Sequence, residues 1–86
     1  MDQAPVRTEA RVVLVDKPGC HLCDDARAVV SAVCGEMGVA WMSVSLLDDL
    51  ALADRFWDQI PVVLVDGEVH DFYRVDPARL RSALSP

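Results

Sequence analysis

Positive charge is scarce in this chain: eight lysines and arginines face fourteen aspartates and glutamates, for a formal net charge of -6 over 86 residues. A surface of that sign repels phosphate backbones and anionic headgroups, so nucleic acid and membrane surfaces are poor partners. Long hydrophobic runs are lacking too. None approaches the roughly 18 apolar residues of a membrane span, and the opening MDQAPVRT has no apolar stretch of signal-peptide length. A soluble cytoplasmic protein is expected. Cysteine is sparse as well, and three cysteines, two of them closely spaced, do not make the even-numbered framework of a stapled secreted mini-protein. With no internal repeat, low-complexity stretch or linker, one domain is expected over residues 11–86, preceded by a loose polar lead-in over residues 1–10.

What the chain does have is apolar substance. Its hydrophobic fraction of 52% is enough for a packed core without metals or several disulfides. A chain this small removes only about 60% of its unfolded surface from water, so that core must be economical. Residues 11–16 form an apolar, β-branched run suited to a central strand covered on both faces. Pro18-Gly19 then breaks the extended pattern. Over residues 21–37, Leu22, Ala26, Val29, Val30, Val33 and Met37 recur at steps of three and four, which predicts a helix with one buried stripe that stops at Gly38. Residues 39–44 read as a second strand. Residues 46–57 read as a short helix with Leu47, Leu50, Ala51 and Phe56-Trp57 at helical offsets and Asp48 or Asp49 as its cap. A third strand over 60–65, an Asp66-Gly67 hairpin turn and a fourth strand over 68–72 follow, and Asp76-Pro77 opens a last helix. The order is β-α-β-α-β-β-α, with a right-handed crossover joining the first two strands in parallel.

The chemistry concentrates in Lys17-Pro18-Gly19-Cys20-His21-Leu22-Cys23. An i, i+3 pair of cysteines at the mouth of a helix lies on one face, where the sulfurs can bridge or share a metal. A structural zinc wants four ligands, and the other candidates are His21, whose side chain points about 100° away from its neighbour's, His70 on the fourth strand, and Cys34 about three turns further along the helix. His70 reads as an exposed strand residue and Cys34 as an inert, half-buried thiol.

This order, with Lys17-Pro18 before Cys20-x-x-Cys23, Ile60-Pro61 opening the third strand and Asp66-Gly67 at the hairpin tip, resembles the thioredoxin fold in its minimal, glutaredoxin-like form, over most of the chain from residue 11 to residue 84. It is similar to the short glutaredoxin-like proteins of bacteria. Two marks differ: His21-Leu22 stands where glutaredoxins usually carry Pro-Tyr, and residues 71–76 stand where they carry a Gly-Gly pair and an acidic residue that hold glutathione.

The resemblance implies a four-stranded mixed sheet with three helices and a thiol–disulfide oxidoreductase that carries no bound cofactor and reduces protein or small-molecule disulfides as a monomer. It also implies a cis peptide at Pro61, packed against the cysteines, that leaves the backbone of Ile60 free to pair with an extended substrate. Thiol exchange needs a thiolate, and a free cysteine near pKa ~8.5 is mostly protonated at neutral pH. A Cys20 that opens the helix would face unpaired backbone N–H groups and the positive end of the dipole, with Lys17 as an added cation and His21 as a neighbouring tuner. Cys20 is then the attacking thiol and Cys23, one turn further in, the resolving one. Glutathione as co-substrate and a thioredoxin-reductase-type donor are both candidate electron sources. Two alternatives stay open: a metal-binding or metal-delivery module using the same cysteines, and a thioredoxin-fold interaction domain with a lapsed pair.

Overall fold

A computed structural model describes residues 10–86; the expected lead-in, apart from Ala10, lies outside the described residues. Four strands and three helices follow one another as β1 (Val12–Asp16), α1 (His21–Met37), β2 (Trp41–Ser45), a 3-10 turn (Leu46–Asp48), α2 (Leu50–Phe56), β3 (Val62–Val65), β4 (Glu68–Phe72) and α3 (Pro77–Leu84). The strands form one mixed sheet in the order β2-β1-β3-β4. β1 is central. It pairs in parallel with β2, from Val12 opposite Trp41 to Asp16 opposite Ser45, and antiparallel with β3, from Val12 opposite Val65 to Val15 opposite Val62. That position explains its composition, because a strand with neighbours on both edges and packing on both faces has no solvent side to spend on polar residues.

The β3–β4 hairpin turns through Asp66 and Gly67, both at positive φ (53° and 86°), the two left-handed residues of the turn whose twist matches that of the strands. The Arg11 guanidinium donates two hydrogen bonds to the Asp66 carboxylate, at 3.0 and 2.9 Å, which ties the turn to the start of β1 and holds that carboxyl below its ordinary range.

The core has two parts. On one face, Val12, Leu14 and Val63 meet Ala26, Val30, Val33 and Cys34 of α1 and Leu80 and Leu84 of α3. Each such large side chain taken fully from water contributes about 1.5–3 kcal/mol. Of the stripe its periodicity predicts, Ala26, Val30 and Val33 are buried, Val29 and Met37 pack half-buried against them, and Leu22 is half-buried outside this cluster. Cys34 lies within it at 1% exposure, fully rather than half buried. The smaller part joins Val15, Cys23, Leu46, Phe56, Ile60 and Val62. Its helical members come from α1 (Cys23), the 3-10 turn (Leu46) and the seven-residue α2 (Phe56). Beyond it Val13, Met42, Val44, Leu52 and Leu64 line an apolar depression.

The segment 46–57 departs from its expected single helix. Ser45 caps the 3-10 turn by accepting from Leu47 N, and Asp49, in extended conformation, caps α2 by accepting from Ala51 N and Leu52 N. The chain restarts at Asp49 because the side chain offers the backbone a competing partner there. The restart rotates the apolar face: Leu46, Leu52 and Phe56 point inward, while Leu47 and Leu50 are 70% and 87% exposed.

Candidate active site

Leaving β1 at Asp16, the chain turns through Lys17, Pro18 and Gly19, whose φ of 74° suits a residue without Cβ. Cys20 then caps α1. Its backbone is extended (φ -105°, ψ 111°), and its Sγ accepts a hydrogen bond from Cys23 N at 3.2 Å. Cysteine thus occupies the place where serine or aspartate usually satisfies one of the orphan N–H groups of a helix start.

The two sulfurs differ in surroundings. Cys20 is half-buried at the rim, whereas Cys23 is 1% exposed and packed among Val15, Leu46, Phe56, Ile60 and Val62. Both are free thiols. Burial first, then the hydrogen bond to Cys20, pushes the Cys23 thiol up to about 12; the negative charges of Cys20 and Asp16 add to this, and the backbone N–H of Lys17 acts the other way. Cys34, about three turns further along the helix, is raised by burial alone.

The Ile60-Pro61 peptide bond is cis, as the resemblance implies; Ile60 is buried with Cys23 in the smaller core, and Pro61 is fully buried. The loop carrying it is held from outside by Tyr73, which donates from its amide to Pro61 O (2.8 Å) and from its hydroxyl to Asp58 O (2.8 Å). Tyr73 does this with φ at 66°, a region that costs a non-glycine residue on the order of 1 kcal/mol. Between α1 and the segment that follows β4 runs a cleft lined by Leu22, Asp25, Ala26, Tyr73, Arg74 and Val75. Tyr73, Arg74 and Val75, within the stretch 71–76 that differs from the glutaredoxin pattern in sequence, thus form one wall of this cleft against α1.

Of the sequence-derived site residues, Cys20, Cys23, Ile60 and Pro61 converge. His21, the first residue of α1, is exposed. Lys17 is exposed too; what it brings to a sulfur is its backbone N–H, toward Cys23 rather than Cys20. Trp57 stands 69% exposed just ahead of the Ile60-Pro61 loop. His70 is half-buried instead of exposed, and its Nε2 is buried without a hydrogen-bond partner among the described residues. Among those residues no three His, Cys, Asp or Glu side chains gather as metal ligands.

Three residues escaped the sequence reading. Asp16 ends β1 as a buried carboxylate paired to Arg27 of α1; the signal was there, in a charge closing an apolar strand and an arginine one turn past Cys23. Tyr73 gave none, because only the backbone shows that a tyrosine sits in the left-handed region.

Residues 11–85 match the family described as Glutaredoxin-like domain (DUF836). An uncharacterized protein of Mycobacterium tuberculosis is 30% identical over 82 residues, covering 87% of this chain and 82% of that one. Among solved structures, an X-ray structure of a protein from X. campestris matches with a TM-score of 0.70 at 29% identity, covering 87% of this chain and 99% of that chain. A solution structure of a protein from Nitrosomonas europaea matches with a TM-score of 0.75 at 21% identity over 87% and 91% of the two chains. Thioredoxin from Fasciola hepatica shares the fold at a TM-score of 0.62 and 19% identity over 95% and 86%.

Proposed function

Because this chain belongs to the glutaredoxin-like domain (DUF836) family, with the thioredoxin fold, we propose that Cys20 and Cys23 are the working dithiol of a thiol–disulfide oxidoreductase. The observation that carries this reading is the asymmetry of the pair: a rim sulfur already seated on a helix N–H, and behind it a buried sulfur one turn along the same helix. The backbone donor seats the Cys20 sulfur at the rim, at the positive end of α1.

In the first transfer the Cys20 thiolate attacks a substrate disulfide. A Cys20–substrate S–S bond forms, the substrate's own S–S bond breaks, and one half leaves as a thiolate that takes up a proton. In the second, Cys23 gives up its proton and attacks Cys20 Sγ, so that the Cys20–Cys23 disulfide forms and the other half departs and is protonated in turn. Two electrons and two protons pass from the dithiol to the substrate. No bound cofactor is needed, and an external thiol, glutathione or a reductase dithiol, restores the pair. Ile60, beside Pro61, offers its backbone to an extended, disulfide-bearing protein segment, with His21 at the rim and Lys17 contributing its amide. A monomer acting in the cytoplasm fits this reading.

Cys23→Ser is the test. It is expected to halt the reaction after the first transfer and accumulate a mixed disulfide on Cys20, seen by mass spectrometry as the added mass of the substrate half. A Cys20→Ser protein that still reduces disulfides would overturn the proposal. Recycling of the oxidised protein by glutathione with its reductase, compared with thioredoxin reductase, identifies the donor.

A further inference from the structure

The most exposed large apolar side chains among the described residues, Leu47, Leu50 and Trp57, sit on one short stretch, the 3-10 turn and α2 with its C-cap. A single exposed leucine needs no explanation on a protein surface, but three large apolar groups on one stretch make a patch. Leu50, Asp54 and Trp57 stand at i, i+4 and i+7, so they share one face of α2. The opposite face closes the small core: Phe56 lies there with Cys23, and Leu52, Ala53 and Cys20 pack against the same cluster. The stripe is therefore separated from the proposed dithiol by α2 itself, and Trp57 leads within one turn of chain to the backbone of Ile60. Its surroundings are of one sign. Asp48, Asp49, Asp54 and Asp58 border or interrupt it, all exposed, and none has a cationic partner among the described residues. Arg55, the only cation in the stretch 46–58, lies off the stripe with its guanidinium over the Phe56 ring, 4.7 Å from the centroid.

That charge selects among occupants. A second copy of this chain, related by a two-fold axis, would bring Asp54 toward Asp54 and a net charge of -6 against its like. We propose that the α2 face formed by Leu50, Asp54 and Trp57, with Leu47 beside it, docks the substrate protein through a segment that carries large apolar side chains among lysines or arginines. The inference rests on the dithiol reading above and names the class of substrate for it. Leu47, Leu50 and Trp57 supply the contact area, with the tryptophan as anchor, since large aromatic side chains dominate binding energy at such patches. The carboxylates steer the encounter and reject acidic partners. A segment docked along α2 toward Trp57 continues onto the Ile60 backbone, which brings its disulfide to the rim where Cys20 lies.

Designed peptides test this on the full chain. One carries leucine, tryptophan and lysine and is closed by an intramolecular disulfide; in a second every lysine is replaced by glutamate, and in a third leucine and tryptophan are replaced by serine. Copies closed by a thioether, which cannot exchange, read binding by fluorescence anisotropy. The disulfide forms read reduction, as the ratio of kcat/KM for the peptide to that for hydroxyethyl disulfide. The lysine peptide should bind about tenfold more tightly than either of the others, with an affinity that falls as salt rises. Leu50→Ser and Trp57→Ala should each weaken it by about tenfold and lower the kcat/KM ratio alongside. Asp54→Lys should turn the preference from lysine toward glutamate. Each replaces an exposed side chain, and circular dichroism checks that the fold persists. Equal binding of the three peptides, or binding untouched by Leu50→Ser and Trp57→Ala, overturns the proposal. So does a dimer in sedimentation that Leu50→Ser dissolves, which would make a second copy the occupant. Reduction of hydroxyethyl disulfide without selectivity among the peptides overturns the docking and leaves the dithiol reading standing. Selective binding that depends on the stripe, with no reduction of any disulfide, overturns the dithiol reading and leaves the docking surface.

Discussion

Cys20 has two duties that a pair of substitutions can separate. Its sulfur is the proposed nucleophile, and the same atom caps a 17-residue helix by accepting the Cys23 amide at 3.2 Å. Cys20→Ser removes the first duty and keeps the second, since a serine oxygen is among the preferred caps; Cys20→Ala removes both. Replacing a serine cap by alanine costs about 1 kcal/mol, within a range of roughly 0.5–2. For a domain of this size each kcal/mol moves the melting temperature by about 4–8 °C. The serine variant should therefore melt about 4–8 °C above the alanine variant, with wild type at or below serine because sulfur is the weaker acceptor. Both should have lost disulfide reduction, assayed by turnover of a model disulfide with excess external thiol, while their far-UV circular dichroism stays native. Equal melting temperatures would show that the sulfur does not hold the helix start. Turnover by either variant would remove Cys20 from the chemistry.

Gly38→Ala probes the other end of the same helix: a Cβ there meets nothing within 4 Å, so the left-handed φ of 69° alone should cost about 1 kcal/mol in a urea titration. Phe56→Ala should cost about 3 kcal/mol or more and, by opening the small core around Cys23, speed alkylation of that thiol in the Cys20→Ser background; a silent Cys23 would mean Phe56 does not shield it. Alkali should destabilise the protein. Cys23 ionises near 12 when folded against an ordinary value of 9.0, so no penalty exists below about pH 9 and stability falls as pH rises from there through 12, with Cys34 adding to the same loss. Denaturant midpoints between pH 8 and pH 10.5 should drop in wild type and flatten in a Cys23→Ser/Cys34→Ser double variant.

The elements legible in the sequence are those whose pattern has a single physical reading. The buried stripe of α1, the doubly covered β1 and the Asp66-Gly67 turn all appear where periodicity and turn chemistry place them. The segment 46–57 misled because Leu47 and Leu50 keep helical spacing whether or not the helix is continuous; only the cap at Asp49 decides which leucines face inward. The cysteine pair and the Ile60-Pro61 loop were legible as a motif. The groups that surround them were less so, since Asp16, Arg27 and Tyr73 take part through burial, pairing and backbone conformation, properties of neighbours far along the chain.

The strand order also decides when the site comes into being. β1 and α1 bring Cys20 and Cys23 together from adjacent sequence, but the loop at Pro61 reaches them only when β3 docks on β1, placing Val65 beside Val12 across a long stretch of chain. Such pairings of high contact order close late in folding. A half-folded chain would thus hold both cysteines on a nascent helix with neither the Phe56 and Ile60 cover nor the proline wall. In hydrogen exchange, the amides of β1 and β3 should open only with the whole molecule. Selective chemistry at Cys20 is then a property acquired at the last step of folding, and loss of cooperativity should surface first as indiscriminate reactivity of the two thiols.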